Sequence, residues 1–197
     1  MASVAQRRVD KTEENRAKLV AAARKAFGTT GFANASMDDL TAEVGLTRGA
    51  LYHSFGDKTG LLAAVVTQVD GEMAARAQRA GAGAASDWEG LLAEGAAYIE
   101  MALDPEVRRI VLLDGPAFLG DPSRWPSQNA CLSVTKDLIE KLIAEGVMKP
   151  VDVDAASRLL SGAAFNAALW VAANDEPKVV LPKAVAAFRL MAEGFLA

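Results

Sequence analysis

The chain has 197 residues, of which 51% are hydrophobic, so we expect a globular protein of one or two small domains and not a disordered segment. The single cysteine and the single histidine exclude an internal disulfide and a histidine-rich metal cluster, and no metal or cofactor is predicted. The net charge is −4, but residues 1–58 carry +2 (nine basic against seven acidic side chains) and residues 59–197 carry −6, which favours the N-terminal part as the region that meets a polyanion.

The first helix is predicted from about Asp10 to Thr29, because Asp10 can cap it and apolar residues then recur every four positions. Residues 1–9 are expected to form a loose basic arm, which is either a solvated tail or a segment that carries Arg7 and Arg8 to DNA phosphates or into a minor groove. The outer face of this helix, with its arginines and lysines, is expected to be solvated. The apolar stripe that braces the following helices comprises Leu19, Ala23 and Phe27.

The stretch from Ala35 to Leu62 predicts two short helices joined by a tight turn, followed by the start of a third helix. Ser36 can cap the first short helix, and Gly45 can end it, because a residue without Cβ adopts the left-handed backbone conformation at little cost. Thr47 can cap the second short helix, which extends to about Phe55. Two short helices around a glycine can also form an ordinary helical hairpin, so the pattern by itself leaves both possibilities open.

The outer side of the second short helix carries residues suited to the major groove of DNA. Gly49 and Ala50 are small, so the backbone can come close to the bases. Arg48, Tyr52 and His53 can donate hydrogen bonds to base edges or phosphates. A lysine in the first turn of the third helix opposes the helix dipole unless a phosphate lies opposite. With this lysine and the two caps, the predicted DNA contacts are Ser36, Thr47, Arg48, Gly49, Ala50, Tyr52, His53 and Lys58.

This N-terminal stretch resembles the signature of the tetracycline-repressor (TetR) family of transcriptional regulators over about the first third of the chain. It departs from the family pattern at Thr41, where alanine is usual, and at Ser54, where a bulkier residue is common. The resemblance implies a DNA-binding head, pairing of two chains through four helices, and a small-molecule site whose occupation releases DNA. The residues that carry it are Phe27, Gly31, Phe32, Ser36, Leu40, Gly45, Leu46, Thr47, Gly49, Leu51, Tyr52, Phe55, Lys58 and Leu61.

The rest of the chain predicts helices and no sheet, because no stretch alternates between apolar and polar residues for long. A fourth helix over about 58–79 joins a DNA-binding domain, residues 1–58, to a ligand-binding and dimerisation domain, residues 59–197. Asp114-Gly115-Pro116 should break the sixth helix, and Pro182 should lie in the first turn of the ninth. The fold class is therefore all-α, and the later helices are expected over about 87–103, 105–113, 127–145, 153–174 and 181–195.

A recognition helix of two turns reads only a few base pairs, each worth roughly 1–3 kcal/mol of discrimination. Selecting one site in a genome needs several such contacts, so we expect a homodimer on a palindromic operator, with its two heads about 34 Å or a multiple apart. The last two helices have small residues and surplus apolar surface for such pairing, although burial within one chain is the alternative. The predicted interface comprises Leu160, Ala164, Ala167, Trp170, Val185, Phe188, Met191 and Phe195.

The aromatic and methionine side chains of the C-terminal bundle predict a cavity for an unidentified small-molecule effector, with Asn166 or Asp114 as the polar group that orients it. For each of these residues, ordinary core packing is the alternative. The predicted lining comprises Trp88, Tyr98, Met101, Asp114, Phe118, Trp125, Phe165 and Asn166.

Taken together, these features predict a homodimeric, ligand-responsive transcriptional regulator, in the usual case a repressor released from its operator by a small molecule. A helical enzyme is disfavoured, because the sequence has no nucleophile beside a base and no glycine-rich phosphate loop. A helical protein-interaction module without DNA binding stays open. A cytoplasmic protein without membrane contact is expected, since no apolar run reaches the roughly 18 residues of a membrane span. Cys131 is either a buried, inert thiol or a redox sensor.

Overall fold

A computed structural model describes residues 4–197 of the chain, with the side chains of residues 9–128 and 132–197. Over these residues the fold is all-α, as predicted, and has nine helical segments. Single turns of 3-10 helix, Met101–Leu103 and Pro122–Arg124, lie between some of them. The helices are α1 (Val4–Thr30), α2 (Met37–Glu43), α3 (Arg48–Phe55), α4 (Lys58–Gly81), α5 (Asp87–Glu100), α6 (Pro105–Val107, Arg108–Asp114 and Gly115–Leu119 in succession), α7 (Pro126–Ala144), α8 (Val153–Ala173) and α9 (Pro177–Glu193).

The head consists of α1, α2 and α3, which pack on one another and on the first turns of α4. The predicted stripe of α1 is buried in its centre, and Leu40 of α2 and Leu51 of α3 close over it. The same apolar core continues along α4 into the body. There α8 lies against α5, α7 and α9. The helix α4 therefore contributes to the core of both the head and the body.

The prediction of a loose arm over residues 1–9 is wrong from Val4 onward, because α1 begins there. Alanine, glutamine and arginine in this stretch are favourable helix residues, so the helix extends beyond the aspartate that looked like its cap. Arg7 and Arg8 therefore lie on helical backbone, and their side chains fall outside the described residues. The side chain of Cys131 also falls outside them.

Asp114-Gly115-Pro116 does not break α6, contrary to prediction. Residues Arg108–Asp114 form a π-helical segment in which the Gly115 N–H donates to Ile110 O, five residues back. The wider π turn carries the chain to Pro116, which opens the next helical turn where its missing N–H is tolerated. A Cβ on Gly115 would lie 2.7 Å from the Trp125 ring, so glycine is needed for this packing.

The last helix begins one turn earlier than predicted, at Pro177, and Pro182 lies inside it. Pro177 occupies the first turn, where a residue without an N–H costs nothing. Asn174 stabilises the turn before this helix, because its side-chain oxygen accepts the Glu176 N–H at 2.9 Å. Within the described residues, no helix is long and apolar enough to cross a membrane.

Candidate functional site

The helix-turn-helix is fixed by two side-chain caps and one left-handed residue. Ser36 Oγ accepts the Asp39 N–H at 3.3 Å, and Thr47 Oγ1 accepts the Ala50 N–H at 3.2 Å. Gly45 has a φ of +67° between the two helices, and the Leu46 N–H that follows donates to Thr41 O at 2.9 Å. These bonds set the angle at which α3 leaves α2, so they determine which side chains α3 presents to solvent.

Replacing Gly45 with alanine is expected to lower the free energy of unfolding by roughly 1–2 kcal/mol. A Cβ there meets no atom within 4 Å, so the left-handed backbone alone causes the loss. Gly71→Ala in α4 is the matched control: its Cβ also meets nothing, yet its backbone is helical, and stability should rise by roughly 0.5–1 kcal/mol. Urea denaturation measures both changes. An unchanged or raised stability for Gly45→Ala would contradict this account of the turn.

The outer side of α3 is open to solvent in the free protein. Arg48, Gly49 and His53 are exposed, Tyr52 is 45% exposed, and Ala50 is half-buried. Leu51 on the opposite side is fully buried, so the helix has one inner and one outer face. The predicted DNA-contacting side chains of α3 therefore share a single accessible surface.

Arg48 is held in place by two neighbours. Its Nη2 donates to Tyr52 Oη at 3.3 Å, and its Nη1 lies 3.4 Å from the Asp38 carboxylate on α2. The hydrogen bond to Tyr52 and the charge of Asp38 raise the pKa of Arg48. Because both partners are exposed, a phosphate or a guanine can displace Asp38 at little cost.

Lys58 lies in the first turn of α4, as predicted, and its side chain packs against the loop after α1. Its Nζ lies 4.7 Å from the centre of the Phe32 ring and donates to Ala33 O at 3.3 Å. Burial against this ring lowers the pKa of Lys58. The side chain is nevertheless only half-buried, so a rotation about its flexible stem can bring the ammonium to a phosphate beside the N-terminus of α4.

Arg16 and Arg24 of α1, which were expected on a solvated face, make specific contacts. Arg16 donates to Ser54 O at 2.7 Å and lies 4.3 Å from the centre of the Phe55 ring, so it satisfies a carbonyl at the end of α3. Arg24 contacts Glu72 of α4 at 2.7 Å and Glu106 of α6 at 2.7 Å. These contacts raise the pKa of Arg24 and lower that of Glu72. These contacts could not be predicted from the sequence, because long charged side chains on a polar helix face do not indicate which partners they meet.

Two predicted pocket residues lie at the junction of head and body instead. An Asp114 carboxylate oxygen accepts the Phe32 N–H at 2.8 Å, and Arg109 Nε lies 3.4 Å from the same oxygen. The Phe118 ring is 4.5 Å from the Phe32 ring, centre to centre. Because α6 continues through its π-helical segment, both residues face the loop after α1 and not the interior of the bundle.

A cavity of about 100 Å³ lies in the body, between α4, α5, α7, α8 and α9. Of the eight predicted lining residues, only Tyr98 borders it. Its apolar wall includes Leu91, Val134, Leu160, Ala164 and Phe188, and its polar lining residues are Gln78, Glu94, Tyr98, Gln128, Thr135 and Ser161.

The remaining predicted pocket residues lie either in the packed core or at the surface, and none borders the cavity. Trp88, Met101 and Trp125 are buried in the packed core. Phe165 is also buried, with its ring centre 6.4 Å from that of Tyr98 and 6.1 Å from that of Trp125. Asn166 is exposed on α8 and does not border the cavity, because it lies on the far side of that helix.

A buried carboxylate lies behind the cavity and was not identified from the sequence. Asp70 of α4 is fully buried, and Gln128 Nε2 donates to its two oxygens at 3.1 and 3.0 Å. The Tyr98 hydroxyl donates to Asp70 Oδ1 at 3.2 Å. An aspartate within the apolar stripe of α4, directly after Val69, was the available signal, because buried carboxylates are rare unless paired or hydrogen-bonded.

The exposed apolar face of α8 and α9 coincides only in part with the predicted interface, sharing Trp170 and Met191 with it. On α8 the exposed apolar residues include Leu159 and Trp170. On α9 they include Met191 and Leu190, which is 71% exposed. In contrast, three predicted interface residues pack inside the same chain and border the cavity: Leu160, Ala164 and Phe188. Ala167, Val185 and Phe195 are half-buried.

Comparisons with known proteins match both parts of the chain. A family model described as "Bacterial regulatory proteins, tetR family" matches residues 19–65. A second, described as "Tetracyclin repressor-like, C-terminal domain", matches residues 88–195, which is more than half of the chain.

The chain is also similar to individual regulators. It is 48% identical to a TetR-family transcriptional regulator from Pectobacterium atrosepticum, with a TM-score of 0.86 over 95% of this chain and 97% of that one. It is 34% identical to the transcriptional repressor AcnR of Corynebacterium glutamicum over 33% of this chain, and spans 35% of that repressor's length. RolR in complex with resorcinol shares the fold, with a TM-score of 0.71 and 17% identity over 96% of this chain and 98% of that one.

Proposed function

Since this chain belongs to the TetR family of bacterial regulatory proteins, we propose that it is a homodimeric repressor that binds a palindromic operator through α3 and leaves it when a small molecule enters the body cavity. Residues 1–58 would serve as the DNA-binding domain and residues 59–197 as the ligand-binding and dimerisation domain. Such a protein acts on the chromosome, which places it in the cytoplasm.

The observation that carries the DNA-binding proposal is the single accessible face of α3. Arg48, Tyr52 and His53 are exposed together on a helix that Thr47 and Gly45 orient, and Leu51 on the opposite side of α3 is fully buried. Gly49 leaves the first turn of α3 open to close approach, as a helix in the major groove requires. The Ser36 and Thr47 caps lie exposed at the N-termini of α2 and α3, where their backbone N–H groups are suited to phosphate contacts.

The pairing proposal is supported by the exposed face of α8 and α9. Trp170, Leu190 and Met191 form part of an apolar surface that a monomer would leave in water. A symmetric contact through this face would cover it and would place two copies of α3 on one side of a duplex. A one-ring effector is proposed, because the cavity is small and RolR, which shares the fold, has been solved with resorcinol.

A salt titration on duplex DNA from the region upstream of the chain's own coding sequence tests the function. We expect log K to fall linearly with log salt, with a slope of about −0.9 for each phosphate contacted, and a plateau at two chains per site. Fluorescence anisotropy measures the binding constant at each salt concentration. Two results would contradict a role in DNA regulation and would favour a protein-interaction module. One is equal, salt-insensitive binding to all duplexes, and the other is no binding to any duplex.

A further inference from the structure

The cavity has an uneven balance of charge. Its lining includes the carboxylate of Glu94, while no lysine or arginine borders it in the described part of the chain. A second carboxylate, that of the fully buried Asp70, lies behind the lining residues Tyr98 and Gln128, which both donate to it. A bound anion would therefore meet the Glu94 carboxylate without a lysine or arginine in the described lining to compensate it, which a partly buried site disfavours.

Glu94 is the group that a ligand would meet. Its side chain is half-buried between α4 and α5, and a Cβ on Gly81 would lie 2.8 Å from its Oε1. No hydrogen bond or ion pair to Glu94 occurs among residues 9–128 and 132–197. Burial alone raises the pKa of Glu94. A carboxylate in this position is stabilised when a positive charge arrives beside it, because the cation replaces the lost hydration.

The donors of two other polar lining residues, Tyr98 and Gln128, are already occupied. The Tyr98 hydroxyl and the Gln128 amide both donate to Asp70, and Gln128 Nε2 is also 3.4 Å from the Tyr98 oxygen. The oxygen of the Gln128 side-chain amide takes part in none of these bonds, and an amide oxygen is the kind of acceptor that an ammonium group requires. Asp70 thus directs the donors of both lining residues away from the cavity.

Aromatic and aliphatic groups supply the rest of the cavity. The rings of Tyr98 and Phe188 border it, together with Leu91, Leu160 and Ala164. An aromatic face attracts a cation by roughly 0.5–2 kcal/mol, and the aliphatic groups favour an apolar ligand body. The volume of about 100 Å³ is comparable with the roughly 150 Å³ of cavities that accept benzene.

We propose that this cavity binds a small organic cation, an amine carried on a single aromatic ring, with its ammonium group against Glu94. The ligand class follows from the cavity alone. Its role as the effector that releases DNA rests on the proposed function. Entry of such a ligand would crowd Ala74 and Ala77 of α4, the helix that holds the head.

Isothermal titration calorimetry on the full chain without DNA tests the ligand class. The probes are benzylamine, its neutral analogue benzyl alcohol and the anion benzoate, which differ mainly in charge. We expect benzylamine to bind at least about tenfold more tightly than benzyl alcohol at pH 7, and benzoate not to bind. Glu94→Gln should remove the preference for the amine, because it removes the charge and retains the shape. Glu100→Gln, an exposed carboxylate at the end of the same helix, is the matched control and should retain the preference.

Three results would overturn the assignment: equal or tighter binding of benzyl alcohol, an unchanged preference in Glu94→Gln, or no binding of any probe at millimolar concentration. A separate measurement of DNA release distinguishes the two proposals. If benzylamine binds as expected but leaves the operator complex intact, the ligand class stands and the proposed effector role fails. If the chain binds no duplex at all, the regulatory function fails, whatever the calorimetry gives.

Discussion

The double variant Arg48→Ala/Tyr52→Ala is expected to bind operator DNA at least about 100-fold more weakly than the natural chain. Both side chains are exposed on α3 and joined by a 3.3 Å hydrogen bond, so they would contact the same base pair or adjacent ones. A good contact to a base contributes roughly 1–3 kcal/mol, and a dimer loses it in both half-sites. Fluorescence anisotropy at a fixed salt concentration measures the loss.

Arg79→Ala is the matched control for this variant. Arg79 is also exposed and cationic, but it lies 21 residues beyond Lys58 on α4, about 32 Å along the helix axis. Its removal should leave operator binding within about twofold, and neither variant should change the free energy of unfolding by more than about 0.5 kcal/mol. Equal binding by the double variant and the natural chain would exclude α3 as the recognition helix.

Leu190→Glu is expected to convert the dimer to a monomer at micromolar concentration. Leu190 is 71% exposed in the single chain, so the change leaves the core intact. In a symmetric interface the new carboxylate would be buried twice, which we expect to raise the dissociation constant of the dimer at least about 1000-fold. Sedimentation velocity measures the association state. Operator binding should weaken in parallel, because a monomer contacts only one half-site.

Two further variants separate pairing from folding. Val151→Glu places the same charge on an exposed apolar residue outside α8 and α9, and it should leave the dimer unchanged. Leu160→Glu should unfold the chain, because Leu160 is 2% exposed and packed against the cavity. A Leu190→Glu chain that remains dimeric, or a natural chain that is monomeric both free and on DNA, would remove the pairing proposal.

The head was predictable because its structure depends on local chemistry. The Ser36 and Thr47 caps, the left-handed Gly45 and the inward Leu51 act over a few residues, so their spacing specifies two helices and the turn. The inner and outer faces of α3 follow from the same periodicity. Lys58 was less predictable, because its position over the Phe32 ring depends on a loop 26 residues earlier in the chain.

The pocket was less predictable because apolar side chains do not indicate whether they border a cavity or fill a core. Trp125 and Phe165 pack against each other, whereas smaller residues such as Ala74 and Ala164 leave the space. Asp114 was misplaced since a π-helical segment changes the rotation of every later residue on α6. The sequence also did not distinguish Leu159, which is exposed, from its neighbour Leu160, which is buried. Both are leucines on an apolar helix, so only the packing of the folded chain decides which of them faces the core.

Phe188 and Leu190 lie two residues apart on α9, one beside the cavity and the other on the exposed apolar face. A ligand that displaces the Phe188 ring therefore acts on the same short helix that would hold two chains together. Thermodynamic reciprocity then requires that whatever ligand binding does to self-association, self-association does to ligand binding. Where ligand binding does change self-association, titrations at nanomolar and at millimolar protein would yield different apparent affinities for the same compound. The sign of that difference would report which association state the compound prefers.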